Sequence, residues 1–147
     1  MYGKVIKGSL PIFIIVFCIF ANFLSAQTTL EGTVTKVRDG DTIEVGKIPV
    51  RFQGLTCDEL DTKKGQKARD LLTNLLIGER IICELSGEIT YERLVGRCFL
   101  SDKGDIASHL IEIGYCGRCN RYDEKGFYTE AQRKAGPYTG VFPSYCN

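Results

Sequence analysis

Residues 30–53 read LEGTVTKVRDGDTIEVGKIPVRFQ, a stretch in which strand-forming segments are separated by two turn signals. The first signal is Asp39-Gly40, a dipeptide that favours tight hairpins, and it follows a segment rich in β-branched residues. Gly46-Lys47 marks the second turn, after which apolar and polar residues alternate with the period of a half-buried strand. The stretch therefore predicts a β-meander of three strands.

The period of the apolar pattern changes downstream of the meander. Apolar residues recur at helical spacing over residues 68–76, and Gly78 follows where a helix C-terminus favours glycine. Two more strands are expected at residues 81–85 and 94–100, and a polar hairpin loop over residues 86–93 is expected between them.

A second short helix is expected over residues 106–113, so the order is three strands, a helix, two strands and a helix. This order predicts an α+β fold, a five-stranded, partly open β-barrel of the oligonucleotide-binding (OB) type with two to three α-helices. In such a barrel the loops between strands 1 and 2 and between strands 4 and 5 border the ligand face. Asp39, Asp41 and residues 91–93 are therefore expected to lie close together.

The first 26 residues have the composition of a secretory signal peptide. Two lysines precede an apolar run over residues 10–20, and Ala26 supplies a small residue for cleavage. An uncleaved membrane anchor is the alternative, but the run is shorter than the roughly 20 residues that cross a bilayer. The expected organisation is a signal peptide at residues 1–26 and one secreted or periplasmic domain at residues 27–147, without stable membrane association.

Charge and cysteine content bound the function of this domain. Two of the 19 basic residues lie in the signal segment, so 17 remain against 18 acidic residues and the net charge is −1. Such a domain has no global positive field, and phosphate binding would depend on a few well-placed cations.

Six of the seven cysteines follow the signal segment, and an even number in a small exported domain indicates disulfides. Cys116 and Cys119 have the CxxC spacing of zinc and redox sites, but one such pair with a single histidine nearby is a weak metal signal. Disulfides are therefore favoured. Cys83 and Cys98 are equidistant from the centre of the predicted hairpin, which predicts a bridge between them.

Polar residues in four places could perform chemistry, namely the run 39–42 (DGDT), Arg51, the pair Asp58-Glu59, and Arg93. Singly, each has a plain structural explanation, such as a turn or a charge near a helix start. Together they supply what phosphodiester hydrolysis needs: cations for the charged transition state, a base for water and carboxylates for a divalent metal. Arginine also matches phosphate oxygens with a planar, permanently charged fork.

The order of these residues resembles the thermonuclease family, the staphylococcal-nuclease-like proteins. The resemblance covers nearly all of the chain after the signal segment. The matching segments are residues 37–42, 50–55, Glu59, 91–95, 105–106 with Leu110 and Gly114, and 130–133 with Gly136 and Gly140. The resemblance implies a monomeric, calcium-dependent phosphodiesterase, an endonuclease that acts on DNA or RNA.

The resemblance also implies a role for each matching residue. Arg51 and Arg93 would bind the scissile phosphate and stabilise the transition state. Glu59 would be the general base for water, and Tyr91 would contact bound nucleotide.

The calcium site of the family is matched only in part. Asp41 would be a calcium ligand, with Asp39 close by in support. The family has a second metal-binding aspartate where this chain has Thr56, which offers no charge, so weaker calcium binding is expected. Asp58, which stands where the family has proline, could supply the missing carboxylate. Glu92 replaces a family glycine and adds a negative charge beside the phosphate site.

Two other functions stay open at this stage. The first is a non-catalytic OB-type domain that binds nucleic acid or a protein partner after partial loss of the metal site. The near-neutral charge disfavours a strong general nucleic-acid binder, because affinity grows with the number of phosphate contacts. The second is a disulfide-stabilised exported module without a nucleic-acid role. The joint presence of Arg51, Glu59 and Arg93 favours the enzyme.

Overall fold

Residues 27–146, the part of the chain that the computed structural model describes, form eight strands and three α-helices. The expected signal peptide at residues 1–26 lies outside the described residues. The strands are β1 (Thr29–Val37), β2 (Thr42–Val45), β3 (Ile48–Phe52), β4 (Leu55–Cys57), β5 (Arg80–Thr90), β6 (Arg93–Leu100), β7 (Gly104–Asp105) and β8 (Cys116–Arg118). The helices are α1 (Lys63–Leu76), α2 (Ile106–Glu112) and α3 (Thr129–Ala135).

The main sheet has six strands in the order β3-β2-β1-β5-β6-β7, and its neighbours in this order pair antiparallel. This arrangement confirms the predicted α+β class and the meander of β1 to β3. A further pairing joins β3 to β6 in parallel, with Arg51 opposite Val95. A separate two-stranded sheet pairs β4 with β8, which the sequence pattern did not indicate because each strand has only three residues.

The hairpin between β5 and β6 is longer than predicted. The predicted polar loop over residues 86–93 is wrong, because β5 continues to Thr90 and β6 already begins at Arg93. Only Tyr91 and Glu92 form the turn, and Tyr91 adopts a positive φ of 51°. The register of the β5–β6 pairing shifts between Leu85 and Ile89. All of residues 86–92 except Thr90 are exposed, so this part of the hairpin pairs without the apolar alternation that marks a half-buried strand.

Helix α1 begins earlier than its apolar residues suggest, because a side-chain cap fixes its start. The Thr62 hydroxyl accepts a hydrogen bond from the backbone N–H of Gly65 at 2.9 Å. The helix then buries Ala68, Leu72 and Leu76 in the core of the molecule. The start of this helix also fixes the preceding loop, which carries part of the candidate site.

Three disulfides cross-link the domain: Cys57–Cys116, Cys83–Cys98 and Cys119–Cys146. The predicted Cys83–Cys98 bridge is confirmed, and these two cysteines are direct partners in the pairing of β5 with β6. Cys116 and Cys119 belong to different bridges. Three disulfides indicate an extracellular or otherwise oxidising compartment.

Within residues 27–146, the structure contains no helix that is both long enough and apolar enough to span a membrane.

Candidate active site

One cleft of about 480 Å³ is lined by all seven residues that were predicted as catalytic, substrate-binding or metal-binding. Its walls come from the turn between β1 and β2, the end of β3 and the loop after β4, and the tip of the hairpin between β5 and β6. The predicted site residues among its lining are Asp39, Asp41, Arg51, Asp58, Glu59, Tyr91 and Arg93. Residues up to 54 positions apart in the chain, from Asp39 to Arg93, thus share one concave surface.

The turn between β1 and β2 places Asp41 at the base of the cleft. The Asp39 carboxylate accepts a hydrogen bond from the backbone N–H of Asp41 at 3.0 Å, which holds the turn in shape. Gly40 is required by packing, since a Cβ there would lie 2.8 Å from Cys57 Cβ and 3.0 Å from Ala68 Cβ. The turn is therefore seated on the Cys57–Cys116 disulfide and on helix α1.

Asp41 joins both arginines of the cleft through a short network. The Arg51 guanidinium donates to Asp41 Oδ1 at 2.7 Å, and the Thr42 hydroxyl donates to the same oxygen at 2.8 Å. Arg93 in turn donates to the Thr42 hydroxyl oxygen at 3.0 Å. Thr42 was not predicted as a site residue, although it ends the DGDT run, and its partner in the β2–β3 pairing is Arg51.

The electrostatic state of Asp41 is unusual for a carboxyl group. Burial raises the pKa of Asp41 to about 6 from its ordinary value of 3.8, and the neighbouring Asp39 adds to the rise. Arg51 opposes the shift without cancelling it. The Asp41 side chain is 11% exposed, so its negative charge is held with little water around it. A cation at this position would relieve that cost.

The first prediction follows from this raised pKa. A carboxyl group whose pKa is higher in the folded than in the unfolded state lowers the free energy of unfolding as the pH rises through that interval. We expect Asp41→Asn to increase the free energy of unfolding of the metal-free protein by about 1–3 kcal/mol near neutral pH, at about 1.4 kcal/mol per pKa unit. Near pH 4 the two proteins should differ little, because Asp41 is then largely protonated.

Chemical denaturation in chelator at several pH values measures this effect. Asp70→Asn is the matched control, because the Asp70 side chain is 62% exposed on the surface of α1 and contacts Arg69. A neutral-pH stability of Asp41→Asn equal to or below that of the wild type would contradict the assigned cost of the charge.

Glu59 lies at the exposed end of the loop after β4, where its backbone is fixed by the start of α1. Its carbonyl oxygen accepts hydrogen bonds from the backbone N–H of Thr62 at 3.0 Å and from the Thr62 hydroxyl at 2.9 Å. Gly65 lies against the carbonyls of Asp58 and Glu59, where no side chain would fit. In the described part of the chain, no hydrogen bond engages the Glu59 carboxylate, which leaves it free to bind water.

Asp58 has a structural role that the sequence did not predict. Its Oδ1 accepts hydrogen bonds from the Tyr138 hydroxyl at 2.7 Å and from the backbone N–H of Val141 at 2.8 Å. Burial and the contact with Asp58 also raise the pKa of Tyr138, so this hydroxyl remains a donor. Asp58 thus anchors the C-terminal segment through Oδ1. Thr56 is buried at 1% exposure in β4 and is paired with Gly117 of β8.

The tip of the β5–β6 hairpin presents an aromatic ring to the cleft. Tyr91 is 91% exposed, and the Arg93 guanidinium lies 5.8 Å from the centre of its ring. The Thr90 hydroxyl is buried and has no hydrogen-bond partner among residues 27–146.

Two further tyrosines, which the sequence analysis did not predict, line the cleft. Tyr122 and Tyr145 come from short 3₁₀ turns over Asn120–Tyr122 and Ser144–Cys146. The Cys119–Cys146 disulfide joins these two turns. Sequence reasoning left the connectivity of these cysteines open, and with it the position of the last residues of the chain.

No preformed cluster of three or more histidine, cysteine, aspartate or glutamate side chains around a metal position occurs in residues 27–146. The carboxylates that best suit a metal ligand are those of Asp41, which is buried, and Asp39, which lies in the same turn. Calcium takes many of its ligands from carbonyl groups, water and substrate as well as from carboxylates. Asp39 and Asp41 supply carboxylate oxygens, one of the ligand types that calcium uses.

No protein-family model matches the chain. The chain is similar to the "Succinoglycan biosynthesis protein ExoI" of Rhizobium meliloti (strain 1021), at 33% identity over 110 residues. The similarity covers 67% of this chain and 57% of that protein, so the chain spans little more than half the length of this relative.

Proposed function

We propose that the protein is an exported nuclease of the thermonuclease kind that hydrolyses phosphodiester bonds of DNA or RNA with the help of calcium. The observation that carries the proposal is the meeting of two arginines, a buried aspartate and an unengaged glutamate in one cleft. Each of these residues meets a different requirement of phosphodiester hydrolysis, and the cleft brings them to one substrate.

The two arginines account for binding of the scissile phosphate. Arg51 and Arg93 are both tied to the Asp41–Thr42 turn, so their guanidinium groups are positioned before any substrate binds. Positive charge that is already in place stabilises the negative charge that builds up on the phosphorus oxygens during attack.

Glu59 accounts for activation of water. Its carboxylate would take a proton from a water molecule as the water oxygen bonds to phosphorus and the bond to the leaving oxygen breaks. The leaving oxygen then receives a proton from solvent. The loop that carries Glu59 is fixed through Thr62 and Gly65, so the base has a defined position although it is exposed.

Calcium would be held by Asp41, with Asp39 beside it, and by phosphate and water. When bound, the ion supplies Lewis-acid polarisation of a phosphate oxygen. The raised pKa of Asp41 supports this assignment, because a desolvated carboxylate gains most from a nearby cation. The site has few carboxylates, and Thr56 adds none, so calcium affinity should be modest.

The strand pairings support an OB-type barrel as the scaffold. The sheet order β3-β2-β1-β5-β6 together with the β3–β6 pairing would join five strands into a ring. The parallel contact places Arg51 opposite Val95, two residues beyond Arg93. Closure of the ring would thus bring the two arginines to the same end of the barrel, where the ligand face of this fold lies.

The name of the relative favours a second candidate, a role in polysaccharide biosynthesis. The printed name of that protein concerns succinoglycan, and 57% of its length is matched here. A protein of this kind would bind or process a carbohydrate in the same cleft. Two guanidinium groups that are tied to one turn match the permanently charged phosphodiester of a nucleic acid, so the nuclease remains the first proposal.

Substrate profiling tests the proposal. The purified, disulfide-bonded protein is incubated in calcium with end-labelled single-stranded DNA, double-stranded DNA, RNA and succinoglycan, and the products are resolved by size. The proposal predicts fragments from at least one nucleic acid and none from the polysaccharide. Intact nucleic acids together with shortened or tightly bound succinoglycan would establish the second candidate and overturn the first.

A further inference from the structure

The aromatic corner formed by Tyr122 and Tyr145 is a wall of the cleft that phosphate chemistry does not use. The two ring centres are 6.4 Å apart and the ring planes meet at 61°, an edge-to-face arrangement. Tyr122 is 42% and Tyr145 is 45% exposed, so both keep part of a ring surface open. Both rings line the same cleft as Arg51 and Arg93.

The C-terminal end of the chain is fastened to this cleft at several points. The Cys119–Cys146 disulfide adjoins both tyrosines, and the backbone N–H of Cys119 donates to the Gly54 carbonyl at 2.9 Å. Earlier in the same segment, the Tyr138 hydroxyl and the backbone N–H of Val141 donate hydrogen bonds to the Asp58 carboxylate. A ring held in place in this way loses little conformational freedom when it contacts a ligand.

A buried aspartate holds the segments on both sides of Tyr122 through hydrogen bonds. Asp123 is 2% exposed and accepts hydrogen bonds from the Arg118 guanidinium at 2.6 Å and from the backbone N–H groups of Phe127 and Tyr128 at 2.8 and 3.0 Å. The backbone that carries Tyr122 is therefore held by defined hydrogen bonds.

A bound nucleic-acid strand that leaves the two arginines could follow either the aromatic corner or a neighbouring groove, and the aromatic corner suits it better. A neighbouring groove of about 850 Å³ carries three cationic and four acidic side chains, and one of the cations, Arg97, is already paired with Asp105. This groove is not lined by Arg51 or Arg93, the two guanidinium groups that are tied to the Asp41–Thr42 turn in the cleft. An aromatic surface next to a phosphate-binding pair of arginines instead matches a nucleotide, which is a phosphate joined to a flat base.

We propose that Tyr145, supplied by the disulfide-fastened C-terminal turn, stacks with a nucleobase of a single-stranded substrate and forms a base-binding subsite with Tyr122. This inference rests on the proposed nuclease function and adds the part of the substrate that the arginines do not contact. Stacking accepts every base, so the subsite gives affinity for unpaired strands without a strong sequence preference.

The subsite is tested by comparing how tightly the protein binds an oligonucleotide with bases and one without bases. A labelled single-stranded oligonucleotide and an abasic strand of the same length are titrated by fluorescence anisotropy in calcium, with Glu59→Gln as the parent so that the strand stays intact. We expect Tyr145→Ala to weaken binding of the normal strand by roughly 5- to 100-fold and to leave binding of the abasic strand unchanged. Tyr145→Phe should bind both strands like the parent, because stacking needs the ring and not the hydroxyl.

Phe142→Ala is the matched control, because Phe142 lies in the same C-terminal segment and packs against Tyr138. It should bind both strands like the parent. Equal losses for both strands in Tyr145→Ala, or no loss for either, would overturn the subsite, and failure of the parent to bind the normal strand would do the same.

The outcomes separate this inference from the proposed function. Selective loss of base-dependent binding in a protein whose wild type does not cleave nucleic acid would refute the nuclease and support the subsite. Cleavage by the wild type together with unchanged binding in Tyr145→Ala would support the nuclease and refute the subsite.

Discussion

Glu59→Gln is expected to fold normally and to lose phosphodiester hydrolysis by about 10²–10⁴-fold, the usual cost of removing a general base. Glutamine keeps the size of the side chain but cannot take a proton from water. Folding should be unaffected, because the hydrogen bonds that hold this residue involve its backbone carbonyl and not its carboxylate. The measurement is the initial rate of cleavage of a labelled oligonucleotide at saturating calcium, alongside the thermal unfolding midpoint.

Asp61→Asn is the matched control for this variant. Asp61 is an exposed acid of the same loop, two residues from Glu59, and it does not belong to the lining of the cleft. It should cleave at the wild-type rate. If Glu59→Gln also cleaved at the wild-type rate, Glu59 would not be the base and the mechanism would have to be reassigned.

Arg93→Lys is expected to reduce kcat by about 10²–10³-fold, comparable to the removal of one preorganised donor from a charged transition state. Lysine keeps the charge but has no planar fork, so it cannot donate to Thr42 and to two phosphate oxygens in a fixed geometry. Of the two arginines, Arg93 gives the clearer test of catalysis. Arg51 also compensates the buried charge of Asp41, and its replacement would disturb stability together with catalysis.

The control for the arginine variant is Arg80→Lys, at a side chain that is 71% exposed and pairs with Glu31. Its activity should match the wild type. For Arg93→Lys, a rise in KM with an unchanged kcat would mean that the residue binds the ground state of the substrate and does not stabilise the transition state. That outcome would contradict the role proposed here.

The parts of the fold that the sequence predicted correctly have a local signal. The meander of β1 to β3 follows from turn dipeptides and alternation, and helix α1 follows from its apolar spacing. The pairing of Cys83 with Cys98 follows from their symmetric placement about a hairpin, which held although the loop itself is only two residues long.

The parts that were not predicted depend on contacts between distant segments. Strands β4 and β8 are too short to show a period, and their pairing is set by the chain path and the Cys57–Cys116 bridge. The extension of β5 to Thr90 is exposed at four of the five residues 86–90, so no alternation of apolar and polar residues marks it as a strand.

The same distinction applies to the candidate site. The aspartates, arginines and glutamate that were predicted to act together do line one cleft, because they lie at strand ends and turns whose arrangement follows from the strand order. The network through Thr42 depends on side-chain geometry. The hydrogen bonds of Asp58 and the aromatic corner depend on where the C-terminal segment returns, which no local pattern encodes.

Metal dependence of cleavage is the most direct test of the central claim. The disulfide-bonded protein, stripped of metal by a chelator, is mixed with labelled DNA and RNA, and calcium is then added back in steps. We expect no cleavage in chelator, restoration of cleavage of at least one nucleic acid as calcium rises, and no restoration in Glu59→Gln. Absence of cleavage at every calcium concentration, or full cleavage in chelator, would contradict a calcium-assisted nuclease.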